Sequence, residues 1–77
     1  MTKNIPTNYK LISKQLASLI EDEKNLIAIL SNTSALLNDT IDQITWVGFY
    51  IIENNELILG PFQGHPACVH IQIGKGV

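Results

Sequence analysis

The sequence predicts an α+β chain in which two N-terminal helices pack on an antiparallel sheet. Three observations carry this prediction. Apolar residues recur every three or four positions as far as Ile44, which is the helical period. From Thr45 onward, aromatic and β-branched residues gather in short runs, as strands require. Between two of these runs stands Asn54-Asn55, a pair suited to a tight hairpin turn because asparagine tolerates positive φ. A chain of 77 residues makes one small domain, with a correspondingly thin margin of stability.

The helical segment is expected over 7–44. Pro6-Thr7-Asn8 reads as a helix start, with Thr7 or Asn8 as N-cap. Tyr9, Ile12, Leu16, Leu19 and Ile20 then follow at helical spacing. Glu21-Asp22-Glu23 interrupts the apolar pattern and puts acidic groups where a second helix would begin, which suits the helix dipole. Leu26, Ile27, Leu30, Leu37, Ile41 and Ile44 continue the stripe, with Thr33 and Ser34 on it. The pattern fits one long amphipathic helix or two short collinear ones. Ser31-Asn32-Thr33-Ser34 is its weak point, since these side chains compete with the backbone for hydrogen bonds.

Residues 45–77 are expected to form a hairpin, a third strand and a closing loop. Thr45 to Glu53 is the first strand and Glu56 to Pro61 its return. A tight turn at Asn54-Asn55 sets Glu53 opposite Glu56, Ile51 opposite Ile58 and Tyr50 opposite Leu59. Gln63-Gly64-His65-Pro66 reads as a loop. Val69, Ile71 and Ile73 alternate with Cys68, His70 and Gln72, which indicates a third strand with one apolar and one polar face. Gly74-Lys75-Gly76-Val77 is a closing loop; it lacks the Ser/Thr and third glycine of a phosphate-binding loop. Both hairpin faces are apolar: Val47, Phe49, Ile51 and Ile58 on one, Trp46, Tyr50, Ile52, Leu57 and Leu59 on the other. The helices can cover one face only, so a sheet of this kind predicts further sequence to cover the second.

Composition excludes several function classes. The net charge is −2, the five lysines are scattered and there is no arginine, so nothing points to nucleic acid. No stretch approaches the ~20 apolar residues that span a bilayer, and the N-terminus lacks the apolar core of a signal peptide. A single cysteine cannot form an internal disulfide. A cytoplasmic chain with Cys68 reduced is the expectation. No cofactor is implied.

Few residues are placed to carry chemistry. Trp46, Gly48 and Tyr50 share one face of a strand. One reading makes them core, packed under another element. The other uses the glycine: it leaves a gap between two rings that could grip a small apolar or sulfur-bearing group. Cys68 is either an inert small hydrophobe or, on the polar face beside His70, an accessible and reactive thiol. His65, Cys68 and His70 match no zinc-ligand spacing, and ordinary histidines are the better reading. No Ser-His-Asp set or useful carboxylate pair is recognisable, and Glu21 to Glu23 reads as a solvated helix end.

At these residues the sequence resembles the free methionine-R-sulfoxide reductases, single-domain enzymes of the GAF fold. The likeness runs through Leu30-Ser31-Asn32-Thr33-Ser34-Ala35-Leu36-Leu37, Trp46-Val47-Gly48-Phe49-Tyr50, Leu59-Gly60-Pro61-Phe62-Gln63-Gly64, Pro66-Ala67-Cys68-Val69 and Ile73-Gly74-Lys75-Gly76-Val77. It covers nearly the whole chain as the N-terminal half of such a domain. The resemblance implies a partial GAF domain over 1–77, with about half of a six-stranded antiparallel sheet. It implies thiol-dependent reduction of free methionine sulfoxide, with thioredoxin as reductant and no cofactor or metal. Cys68 would be a resolving-side thiol, and Trp46, Gly48 and Tyr50 the wall around the methyl-sulfur end of the substrate. The attacking cysteine and the acidic substrate-holding groups would lie beyond Val77, so this chain alone is expected to be inactive. The third strand would find its partners among strands that are absent here, which leaves an unpaired edge. Two other readings stand beside this one. One is a non-catalytic GAF module that binds a small ligand. The other is a degenerate, truncated product that dimerises through its helices or does not fold alone.

Overall fold

The computed structural model describes residues 7–74. Pro6 of the expected helix start and Lys75-Gly76-Val77 of the closing loop lie outside them. Two helices, α1 (Tyr9–Ile20) and α2 (Leu26–Thr40), precede three strands, β1 (Trp46–Glu53), β2 (Glu56–Gly64) and β3 (His70–Gln72).

Asparagine side chains begin both helices. Asn8 Oδ1 accepts from the Leu11 amide at 2.9 Å, and Asn25 Oδ1 accepts from the Ala28 amide at 2.9 Å. Each satisfies one of the amides that a first helical turn leaves unpaired. The acidic run belongs to the connection between the helices, not to the first turn of α2. There the Glu23 carboxylate accepts from the amides of Lys24 and Asn25, at 3.1 and 2.8 Å. The helices are not collinear. The start of α1 (Asn8, Leu11, Ile12) and the end of α2 (Asn38, Asp39, Thr40) line one hollow of ≈ 590 Å³, so the two run antiparallel. A five-residue connection at 21–25 permits this reversal, as short links between antiparallel helices do.

The Ser/Thr-rich stretch does not break α2. Thr33 Oγ1 donates to the Ile29 carbonyl at 2.7 Å and Ser34 Oγ to that of Leu30 at 2.9 Å, so both hydroxyls turn back onto their own helix. Small side chains here let α2 approach the sheet. Ser34 is fully buried, and its hydroxyl also lies 3.3 Å from the Pro61 carbonyl of β2. α2 packs on both β1 and β2.

The sheet has the order β1-β2-β3, antiparallel throughout. Asn54 and Asn55 take φ of 50° and 66°, as a hairpin turn of two left-handed residues needs. The expected pairs Glu53–Glu56, Ile51–Ile58 and Tyr50–Leu59 are all present. β3 departs from expectation in two respects. It pairs with β2 through Leu57–Ile71 and Ile58–His70, so it does not wait for absent partners. It is also shorter than the alternation suggested, which leaves Cys68 and Val69 in the loop before it. The Leu59 amide donates to the Val69 carbonyl at 2.8 Å and ties that loop to β2.

Between Gly48 and Tyr50 the ladder shifts: Tyr50 pairs with Leu59, yet Gly48 pairs with Phe62. Gly60 and Pro61 together thus face Phe49 alone, a β-bulge. Proline lacks the amide a regular ladder would use, and a bulge is one of the few places a strand tolerates it. The extra residue carries Phe62 to the face of Trp46 and Gly48.

Candidate functional site

The β1–β2 register sorts the sheet into two faces, since directly opposed residues point the same way. Trp46, Gly48, Tyr50, Leu59 and Phe62 share one of them. The hollow over Trp46 and Tyr50 has no helical residue in its walls, which puts the helical pair against the other face, that of Val47, Phe49 and Ile51.

On the open face the aromatic rings form a stacked series. The Trp46 and Phe62 centroids are 5.5 Å apart with planes at 15°, and those of Trp46 and Tyr50 are 6.3 Å apart at 26°. Two glycines seat the indole. A methyl group at Gly48 would collide with Phe62 Cβ and lie 2.7 Å from Trp46 Cη2. One at Gly64, whose φ is +136°, would lie 2.7 Å from Trp46 Cδ1. The two ends of the indole therefore rest over the two glycines. This corrects the geometry expected from sequence. Gly48 does leave room, but Phe62 and the indole fill it, and no gap stands open between Trp46 and Tyr50 at that position.

The open space lies to the side. Trp46 and Tyr50, with Thr45, His65, Pro66 and Ala67, line a hollow of ≈ 430 Å³ with mostly apolar walls. That volume falls within the range of small-molecule sites, about 300–1,000 Å³. Two side-chain donors hold the loop that forms its far wall. Trp46 Nε1 donates to the His65 carbonyl at 3.1 Å, and the Tyr50 hydroxyl donates to the Cys68 carbonyl at 2.8 Å. Both rings thus present an apolar body to the hollow and a polar tip to the loop.

The structure brings Trp46, Tyr50 and the Cys68 loop together, with the thiol exposed. The His70 imidazole has a different partner from the one alternation suggested. Its Nδ1 lies 3.0 Å from Glu56 Oε1 on β2. A carboxylate can only accept, so the proton of this bond sits on Nδ1. Both side chains are substantially exposed, and a pair of this kind contributes little to stability. Among the described residues no three His, Cys, Asp or Glu side chains converge as metal ligands would. Phe62 is the site residue that the sequence pattern did not place. The signal for it was Gly60-Pro61 inside a strand, which marks a bulge and reverses the facing of every later side chain on that strand.

No family model matches the chain. Individual proteins do. The free methionine-R-sulfoxide reductase of Escherichia coli is 45% identical over 69 residues, which are 90% of this chain and 42% of that protein. The structure of fRMsr of Staphylococcus aureus in complex with its substrate aligns with a TM-score of 0.91 at 75% identity, over 97% of this chain and 49% of that one. A Burkholderia vietnamiensis structure described as a GAF sensor protein aligns with a TM-score of 0.84 at 49% identity, over 90% of this chain and 44% of its own. The GAF-like architecture is the one observed, two helices on a three-stranded antiparallel sheet, and the chain spans about half the length of the proteins it matches.

Proposed function

We propose that this chain is the N-terminal half of a thiol-dependent reductase of free methionine-(R)-sulfoxide, a cytoplasmic enzyme whose thiols are restored by thioredoxin. The observation that carries the proposal is the aromatic hollow with a cysteine loop as its wall, in a chain so similar to reductases of that name. Trp46 and Tyr50 would receive the methyl-sulfur end of the substrate through ring faces and edges. Gly48 and Gly64 serve them indirectly, by seating the indole.

The chemistry needs two thiols. One attacks the sulfoxide sulfur; the S–O bond breaks, methionine leaves and the cysteine is oxidised to a sulfenic acid. The second thiol displaces that oxygen as water and closes a disulfide, which an external dithiol such as thioredoxin reduces. Two electrons and two protons pass from thiols to the sulfoxide. The 77-residue chain carries one cysteine, Cys68, to which we assign the resolving part. It is therefore expected to bind substrate without turning it over.

Titration of the sole tryptophan, Trp46, with free methionine-R-sulfoxide tests binding. Quenching that the S epimer and methionine do not match supports the proposal; identical curves for all three count against it. In a coupled thioredoxin assay the chain should consume no NADPH beyond a protein-free control, and sustained consumption overturns the resolving role of Cys68. The likeness to a GAF sensor protein favours a second reading, a non-catalytic module for another small ligand. That reading expects Trp46 to ignore both sulfoxide epimers.

A further inference from the structure

The hydrogen bonds of Trp46 and Tyr50 are not used by substrate contacts. Both donors reach backbone carbonyls of one short loop, at His65 and Cys68, and those carbonyls bracket the far wall of the hollow. The loop has few other anchors. It follows Gly64 at its left-handed φ, contains Pro66, and is tied to β2 only from Val69 onward, through the Leu59 amide. Among the described residues no side chain other than Trp46 and Tyr50 bonds it to the rest of the fold.

We infer that Tyr50 is a positioning residue for Cys68: its hydroxyl, with the Trp46 N–H, staples the cysteine loop to the aromatic wall and so fixes the backbone that carries the exposed thiol, next in sequence to the Ala67 wall of the hollow. The inference rests on the proposed redox role of Cys68 for its biological meaning, but the staple itself is a property of this chain. The same ring that would touch a substrate also fixes the thiol, so pocket and thiol are coupled through one side chain. Tyr50 acts on Cys68 through the backbone, not by contact with reacting atoms.

Tyr50→Phe keeps the ring and its stacking and deletes only the hydroxyl. Backbone ¹⁵N relaxation should then show order parameters at Ala67, Cys68 and Val69 falling from about 0.85 in the parent toward about 0.6 or below, with β1 and β2 unchanged. The reaction of Cys68 with bis(2-hydroxyethyl) disulfide gives a second readout. The thiolate forms a mixed disulfide and releases 2-mercaptoethanol, whose sulfur takes up a proton. The plateau of its pH–rate profile should rise severalfold. Unchanged order parameters in a folded Tyr50→Phe chain overturn the inference. If that variant loses its cooperative melt, Trp46→Phe carries the same test, with loosening centred on His65. Loss of fold in both overturns a positioning role, since the bonds would then serve stability alone. Neither measurement requires substrate or turnover. A staple that holds in a chain blind to methionine sulfoxide refutes the proposed function and not this inference.

Discussion

A methyl group at position 48 would have to displace Phe62 Cβ and the outer edge of the indole, both held by the sheet. Gly48→Ala is therefore an overpacking change, expected to cost about 1–3 kcal/mol. It should also push the Trp46 ring off its seat. A lowered denaturation midpoint together with altered near-UV circular dichroism would bear this out. A variant with the parent midpoint would mean that the rings give way freely, and the stack would not be the rigid wall described. Burial at the other face is polar for a related reason. Ser34 is fully buried because α2 approaches Pro61 closely, and its one hydroxyl proton is shared between the Leu30 and Pro61 carbonyls. A larger apolar residue would hold the helix away from the bulge.

At the level of elements, the bulge decides which residues meet. Paired one to one without the bulge, the register set at Asn54-Asn55 would place Phe62 opposite Val47, on the helix face. Deleting Pro61 removes the extra residue and should leave a regular ladder, with Gly60 opposite Phe49 and Phe62 still opposite Gly48 on the face of Trp46. The expected result is a retained near-UV signal of the stacked pair, with hairpin cross-strand contacts of Ile51 and Ile58 also retained in nuclear Overhauser spectra. Loss of the Trp46–Phe62 contact would show that the bulge geometry, not the register, sets the facing. The contrast explains what could be read from the sequence. The hairpin was legible because turn chemistry is local: two asparagines with positive φ fix the register for several pairs. Its far end was not, because one proline shifts every later side chain by one face. The helical segment divided at the acidic run, but its reversal was hidden, since an apolar stripe of constant period fits a straight rod and a folded pair equally well. The partner of β3 was hidden too, because three residues of alternation carry no address. Trp46 and Tyr50 were found as a same-face pair. Their bonds to the 65–68 loop depend on where a loop returns, which no local pattern encodes.

For the whole molecule, the balance of surface is the deciding quantity. A folded monomer of 8.5 kDa exposes about 4,700 Å² by the usual size scaling. This chain exposes 6069 Å². Among the described residues Ile12 is the sole buried hydrophobic side chain, while Ile52 is 71% exposed and Leu26, Ile27, Val69 and Ile73 are also open. Those residues lie on several elements, so the excess is not one misplaced helix. Because the heat capacity of unfolding follows apolar surface newly exposed, a chain that buries so little should have a small one. For 77 residues the ordinary value is about 1 kcal/mol/K. Calorimetry on dilute chain should give clearly less, with a broad transition. The measurement needs two concentrations, because association would bury Ile52 and its neighbours and raise both the midpoint and the heat capacity together. A full-sized heat capacity independent of concentration would mean that the chain covers its second face unaided. The open side of the aromatic hollow could then no longer be the place where a ligand enters.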